Sequence, residues 1–347
     1  MSDQLADSAE RLFATYVTKD VLKAADAGSF PAALWAAVTE AGYTAALLPE
    51  EAGGFGATVA EAMRLLQISA AHTAPIPLAE TMLAGWLLAR AGLKVPEGVL
   101  TLAPVRKADA VAMTQEGEGW RLTGCATRVP WAREAAAIVV LAGEAIASVP
   151  THGLAIARDV NLAHEPRDTV TFDVLLPASA VVGAPPSFTA AHLRAAGAAL
   201  RTVQIAGAIS RVLATSVGYA QTRVQFGRPI GKFQAIQHYL AQLAGQSAAA
   251  IAAAAMATEA LAGDLSPLAI GAAKARAGEA ASLAAGLAHQ SHGAIGFTQE
   301  YELHYATRRL WSWRDEFGNE AEWNAIVGRA ALQAGADGLW PALTEAA

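Results

Sequence analysis

Arg223-Val-Gln-Phe-Gly-Arg-Pro-Ile-Gly-Lys-Phe-Gln234 interrupts the most helical part of the chain. From Ser187 onward the sequence is rich in alanine, with proline scarce apart from Pro229, Pro267 and Pro341. Such segments favour long helices whose small faces pack closely, as in a bundle. Gly227 and Pro229 break the pattern by ending one helix and starting the next. The stretch is therefore a fixed corner between two long helices, with an arginine and a phenylalanine near its start. A second glycine-bearing stretch, Gln290-Ser-His-Gly-Ala-Ile-Gly-Phe-Thr-Gln-Glu300, follows later in the same region.

Working toward the N-terminus, the pattern changes twice. Between about Thr101 and Pro186 the chain carries short β-branched or aromatic runs bounded by glycine and charge. Examples are Gly119–Gly124, Ala137–Leu141, Gly153–Ala157 and Asp168–Asp173. Several short strands with turn signals between them predict a small β-domain or barrel. Before it, Leu12, Phe13, Tyr16 and Val17, and then Leu34, Trp35 and Val38, recur at helix-face spacing. Helices are also expected over about Val59–His72 and Leu78–Ala91. Pro49 and the glycines of Pro49-Glu-Glu-Ala-Gly-Gly-Phe-Gly56 force a loop before the first of these, and His72-Thr-Ala-Pro-Ile-Pro77 separates the two. The class is α+β: a helical domain (1–100), a middle β-domain (101–186) and a C-terminal helical bundle (187–347).

The 347 residues are 54% apolar and only 16% charged, so surplus apolar surface points to burial between subunits. No uninterrupted apolar run reaches the roughly 18 residues a membrane span needs. A net charge of −6 argues against a nucleic-acid partner. The single cysteine, Cys125, rules out an internal disulfide and a cysteine-built metal site, and no metal is expected. The polar, acidic start MSDQLADSAERLF lacks the basic-then-apolar order of a signal peptide, so a cytoplasmic location is expected.

Arg223–Gln234 resembles the RxQFGxPIxxFQ signature of acyl-CoA dehydrogenases, and Gln290–Glu300 resembles that family's QxHGGxGFTxE segment. Pro49–Gly56 is similar to its PEExGGxG loop. The three occur in the family's order, and the resemblance covers nearly the whole chain. It implies an acyl-CoA dehydrogenase-like fold with an N-terminal helical domain, a small middle β-barrel domain and a C-terminal four-helix bundle. It implies FAD as cofactor, with Arg223 on the pyrophosphate and Phe226 on the adenine. Gln234, Gln290, Gly293 and Ala294 would meet the cofactor, in part from a neighbouring subunit. Arginine suits the first role because its planar fork binds phosphate oxygens bidentately. His292 is given no catalytic role. Trp311 and Trp313, two apart on a helix, are expected to pack in a core or an interface.

Desaturation of an acyl thioester also needs a positioned base, normally glutamate in this family. Of its two usual positions, one falls on Phe317 and the other on Gly197. Glu316 stands one residue early, which swings a side chain by about 100° on a helix. The cofactor-ring segments depart as well, reading Thr101–Lys107 and Thr127-Arg-Val-Pro-Trp-Ala-Arg133. There, Trp131 is open to two roles, covering a flavin face or packing in the core. The losses gather at the isoalloxazine end, whereas the adenine-side motifs remain. This asymmetry resembles the short bacterial members that form α2β2 heterotetramers in steroid side-chain catabolism. The expectation is a subunit that contributes cofactor-binding surface while a homologous partner supplies the base. An acyl-CoA substrate and an electron-transfer flavoprotein as acceptor are implied. Two alternatives stand beside it: a self-sufficient homo-oligomeric dehydrogenase using Glu316, and a non-catalytic acyl-CoA-binding or structural subunit.

Overall fold

The computed structural model describes residues 2–185 and 188–344. The expected junction at Pro186 and Ser187 lies outside the described residues. Five helices open the chain: α1 (Ser2–Tyr16), α2 (Lys19–Asp26), α3 (Ala32–Glu40), α4 (Val59–Ala71) and α5 (Leu78–Arg90). Thr58 caps α4 in a reciprocal box with Glu61, satisfying amides that the first turn leaves free. The Pro49–Gly56 stretch is a loop containing one short 3-10 turn, Glu50–Ala52.

Two four-stranded sheets follow. One has the order β1 (Leu100–Ala103), β4 (Ala137–Ala142), β5 (Ala145–Pro150), β8 (Val181–Gly183). The other runs β2 (Ala110–Glu116), β3 (Gly119–Pro130), β7 (Arg167–Pro177), β6 (Ala155–Ala157). Strand β4 explains how the layers stack, because all six of its residues are buried. Val139 and Leu141 face the helical core, whereas Ile138 and Val140 face the core between the sheets. A strand covered on both sides reads as one apolar run instead of an alternation.

The C-terminal region contains α6 (Ala190–Thr222), β9 (Val224–Gln225), β10 (Arg228–Pro229), α7 (Gln234–Ala262), α8 (Pro267–His292), α9 (Leu303–Asp315) and α10 (Glu320–Thr344). Helices α6, α7 and α8 pack mutually, and α9 and α10 lie against α8. Small residues set the spacing: a Cβ at Gly207 would lie 2.2 Å from the Gln67 carbonyl oxygen, so α4 and α6 approach backbone to backbone there. Among the described residues, α7 alone is long and apolar enough to cross a membrane by length and composition. It is instead a bundle helix, with about a third of its apolar window buried within this chain.

Candidate functional site

The two corners meet at one end of the bundle. Tyr219, one turn before Arg223, stacks on His292 with ring centroids 4.5 Å apart, and its hydroxyl donates to the His292 carbonyl at 3.4 Å. Helix α6 stops at Thr222, and Arg223 leaves it in extended geometry. The chain then reverses through a two-residue hairpin in which Gln225 pairs with Arg228. Phe226 and Gly227 at its tip have φ of 51° and 79°, the pair of left-handed residues that a type I′ turn requires. Glycine adopts this conformation freely; a bulky aromatic does so at a cost. Phe226 is nevertheless held there, 91% exposed.

Arg223 is exposed, and its guanidinium has no protein partner among the described residues. Gln234 begins α7 and is exposed. Gln290 projects to solvent from the last turn of α8. Gly293, with φ 66° and ψ −146°, takes a backbone conformation reserved for glycine and turns the chain into a 3-10 segment containing Ala294. Gly293 and Ala294 are both exposed, and Phe297 beyond them is 68% exposed. An unpaired guanidinium, an aromatic face and an open backbone turn at one bundle end fit the diphosphate and adenine of a dinucleotide.

The turn after α9 is built differently. Phe317 follows α9 in a tight turn, with φ 55° at Phe317 and 105° at Gly318, and is 7% exposed. Its ring lies over Gly197 of α6: a Cβ on Gly197 would come within 2.2 Å of it. The two positions that the sequence offers for a base are thus one place in space, and the Phe317 ring fills it. The turn is clamped from several sides. The Trp323 indole donates to the Phe317 carbonyl at 3.1 Å. Lys274 of α8, 1% exposed, donates to the carbonyls of Arg314 at 2.5 Å and Gly318 at 3.0 Å. Burial pushes the Lys274 ammonium down to about 7, against the opposing pull of Glu320, Glu316 and Asp315.

Glu316 points into an ionic network. Arg167 reaches it at 2.7 and 3.1 Å, Arg201 at 2.7 Å and the Asn161 amide at 3.2 Å. Arg201 also binds Glu80 of α5 at 2.5 Å, and Arg167 binds Glu165 at 3.0 Å, which in turn faces Arg309 at 3.2 Å. The network joins all three regions of the fold, and its three arginines balance its three glutamates. Burial alone would raise the Glu316 carboxyl, but Arg167 and Arg201, with the Arg167 and Asn161 hydrogen bonds, hold it at about 2. A carboxylate so stabilised is a poor proton acceptor.

Sequence reading passed over the partners of Glu316, although one signal was present. Arg201, Thr202 and Gln204 interrupt the apolar stretch Ala195–Ile209 of a buried helix. A charged residue there requires a countercharge. Trp131 is 5% exposed and packs edge-on against Phe30 of the N-terminal region, so it serves the core. Trp313 is buried and donates to Glu165 at 3.1 Å, while Trp311 stacks on His289.

Between the sheets and the start of α10 opens a cleft of about 620 Å³, with Phe317 and Glu316 in its wall. Its sheet side includes Arg106, Lys107, Arg128 and Pro130.

Comparison with known proteins agrees with both ends of the chain. Residues 2–94 match the acyl-CoA dehydrogenase N-terminal domain, and residues 193–331 match the acyl-CoA dehydrogenase C-terminal domain. Acyl-CoA dehydrogenase IpdE2 of Mycobacterium tuberculosis is 32% identical over 291 residues, which cover 82% of each chain. The chain belongs to the acyl-CoA dehydrogenase family. Acyl-CoA dehydrogenases of this kind are FAD-dependent oxidoreductases. Among solved structures, the Tcur3481-Tcur3483 steroid ACAD G363A variant superposes with a TM-score of 0.85 at 25% identity, covering 96% of this chain and 98% of that one. The ChsE4-ChsE5 complex from Mycobacterium tuberculosis gives 0.85 at 24%, with 96% and 97% covered, and shares the fold.

Proposed function

We propose that this acyl-CoA dehydrogenase chain works as one subunit of a heteromer, gripping the adenosine half of FAD while a homologous partner carries the base. One observation supports this most: the place of the base is filled by Phe317 against Gly197, while Arg223 and Phe226 are exposed to solvent. Residues arranged to serve their own chain would not leave a strained aromatic at 91% exposure. Residues that reach across an interface would. The comparison structures point the same way, because two of them are named as pairs, Tcur3481-Tcur3483 and ChsE4-ChsE5.

FAD, when bound, supplies the hydride acceptor for α,β-desaturation of an acyl thioester. Arg223 would neutralise the diphosphate through charge-assisted bonds, and Phe226 would cover the adenine. Gln290, Gly293 and Ala294 would admit the ribose side by close backbone approach, with Gln234 beside them. The C-terminal bundle (187–347) thus carries the cofactor grip, and the helical (1–100) and β (101–186) domains complete the subunit. A steroid-derived or similarly bulky acyl-CoA is the proposed substrate class, following the steroid ACAD among the similar structures. An electron-transfer flavoprotein is the proposed acceptor.

The test is expression of the chain alone and with a homologous candidate partner subunit, measuring bound flavin and acyl-CoA-dependent dye reduction. Flavin and turnover that appear only with the partner support the proposal. Full activity from the chain alone contradicts it and favours the self-sufficient reading with Glu316. Absence of flavin even beside the partner favours a structural or acyl-CoA-binding subunit.

A further inference from the structure

Two buried imidazoles beneath the Gly293–Phe297 turn have no part in the desaturation chemistry. His289 and His292, near the end of α8, are both buried and lie among aromatic rings. His292 stacks on Tyr219 of α6 at 4.5 Å and meets Tyr301, just before α9, at 5.1 Å. His289 stacks on Phe297 at 4.1 Å and on Trp311 of α9 at 5.5 Å. A Cβ on Gly296 would lie 3.1 Å from both the His289 Nδ1 and the His292 Cβ, so the turn is seated directly on the pair. Hydrogen bonding makes each ring neutral. The His292 Nδ1 donates to the Ala288 carbonyl at 2.8 Å. The His289 Nε2 donates to the Thr307 hydroxyl at 2.9 Å, whose own proton goes to the Leu303 carbonyl at 3.4 Å. The remaining nitrogens, His292 Nε2 and His289 Nδ1, are buried without a partner among the described residues.

We propose that His289 and His292 are positioning residues: as neutral rings they seat the Gly293–Phe297 turn in the shape that receives the cofactor, and they make that grip sensitive to acid. This rests on the reading of the corner as the adenosine grip. A proton added to either free nitrogen would be a buried charge and a donor with no acceptor in reach. Attraction of an imidazolium to the aromatic faces offsets only part of that cost. Burial accordingly holds both rings below the ordinary 6.5, and repulsion from His292 and His304 adds to it at His289. The Ala288 hydrogen bond pulls His292 the other way and is the weaker effect. No carboxylate bears on either ring. Glu302 and Arg211 act on Tyr301, and Asp26, Arg308 and Arg309 act on His304. An opened turn takes up protons that the closed turn refuses, so the closed form is fully favoured above pH 6.5 and loses ground as pH falls below it.

Hydrogen exchange between pH 7.5 and 5.5 tests the role, on the full-length chain in complex with its partner wherever flavin requires one. Protection of residues 293–298 reads the turn without reference to flavin, and strand β4 serves as an internal control. Flavin affinity of the same samples is measured by ultrafiltration and absorbance. Protection and flavin affinity should both fall below pH 6.5, by up to about tenfold per pH unit for each histidine, with β4 unchanged. His292→Phe retains a ring against Tyr219, His289→Phe retains one against Phe297, and neither can take a proton. Each should flatten the profile, and the double variant most; if one fails to fold, the other carries the comparison. Constant protection of the wild type across the range, or equal slopes in the wild type and the variants, overturns the proposal. Flavin that stays bound while protection falls would instead overturn the assignment of this turn to the cofactor, with the exchange profiles still reporting the hold of the histidines on it.

Discussion

The corner at Arg223 and the turn at Phe317 lie in the same helical region and have opposite construction. At the first, Arg223, Phe226, Gln290 and Ala294 are exposed, and they are held by backbone geometry: a type I′ hairpin and a glycine turn. At the second, Phe317 is buried, and Glu316 is bound by two arginines and an asparagine. Exposure at a well-formed motif says that its ligand arrives from elsewhere. Close packing of Phe317 against Gly197 says that this space is held by structure.

The contrast breaks first at Arg223. Arg223→Ala should strip most of the flavin from the co-expressed complex, with affinity falling at least about tenfold for one lost charge-assisted contact. Flavin absorbance per mole of complex reads this directly, and unchanged flavin would remove Arg223 from the cofactor. Next in size is the ionic network. Arg201→Ala leaves Glu80 and Glu316 short of a countercharge, a loss of about 3–5 kcal/mol, enough to prevent folding in many chains. Urea denaturation, or the soluble yield, measures it; a loss under about 1 kcal/mol would mean the network is solvated.

A smaller effect sharpens the geometry at Phe317. Gly197→Ala should cost about 1–3 kcal/mol by overpacking, because its Cβ meets the Phe317 ring at 2.2 Å. In the Phe317→Ala background the same change should cost much less. Additive losses in that cycle would show that the two positions do not touch. The smallest effect is a pH slope from Lys274. Its ammonium is depressed from 10.5 to about 7 in the folded chain. Between those values the unfolded chain holds a proton that the folded chain has released, so stability rises with pH through this window. The slope is at most about 1.4 kcal/mol per pH unit. Urea midpoints from pH 7 to 9 should rise more steeply in the wild type than in Lys274→Met; parallel curves would refute the shift.

Much of this was legible in the sequence, for identifiable reasons. The order of helices, strands and helices followed from periodicity and from the breaks at Pro49–Gly56 and Gly227–Pro229. Strands β1, β2, β5 and β8 were less visible: β2 has an exposed edge and weak alternation, and β8 has only three residues. The left-handed Phe226 could not be foreseen from Phe-Gly alone, because only the hairpin register fixes it. Nor could the partners of Glu316, which come from a strand, a loop and a distant helix. The meeting of Gly197 and Phe317 is likewise a tertiary fact, although each had been singled out separately.

The role of Glu316 decides whether the base lies in this chain or in a partner. Turnover per bound flavin in a complex carrying Glu316→Gln separates an anchoring carboxylate from a reacting one, since loss of a general base costs about 10²–10⁴ in rate. Lower stability with turnover per flavin within about twofold of the wild type is the predicted result. A fall of a hundredfold or more in an otherwise folded, flavin-loaded complex would contradict it and return the base to this chain.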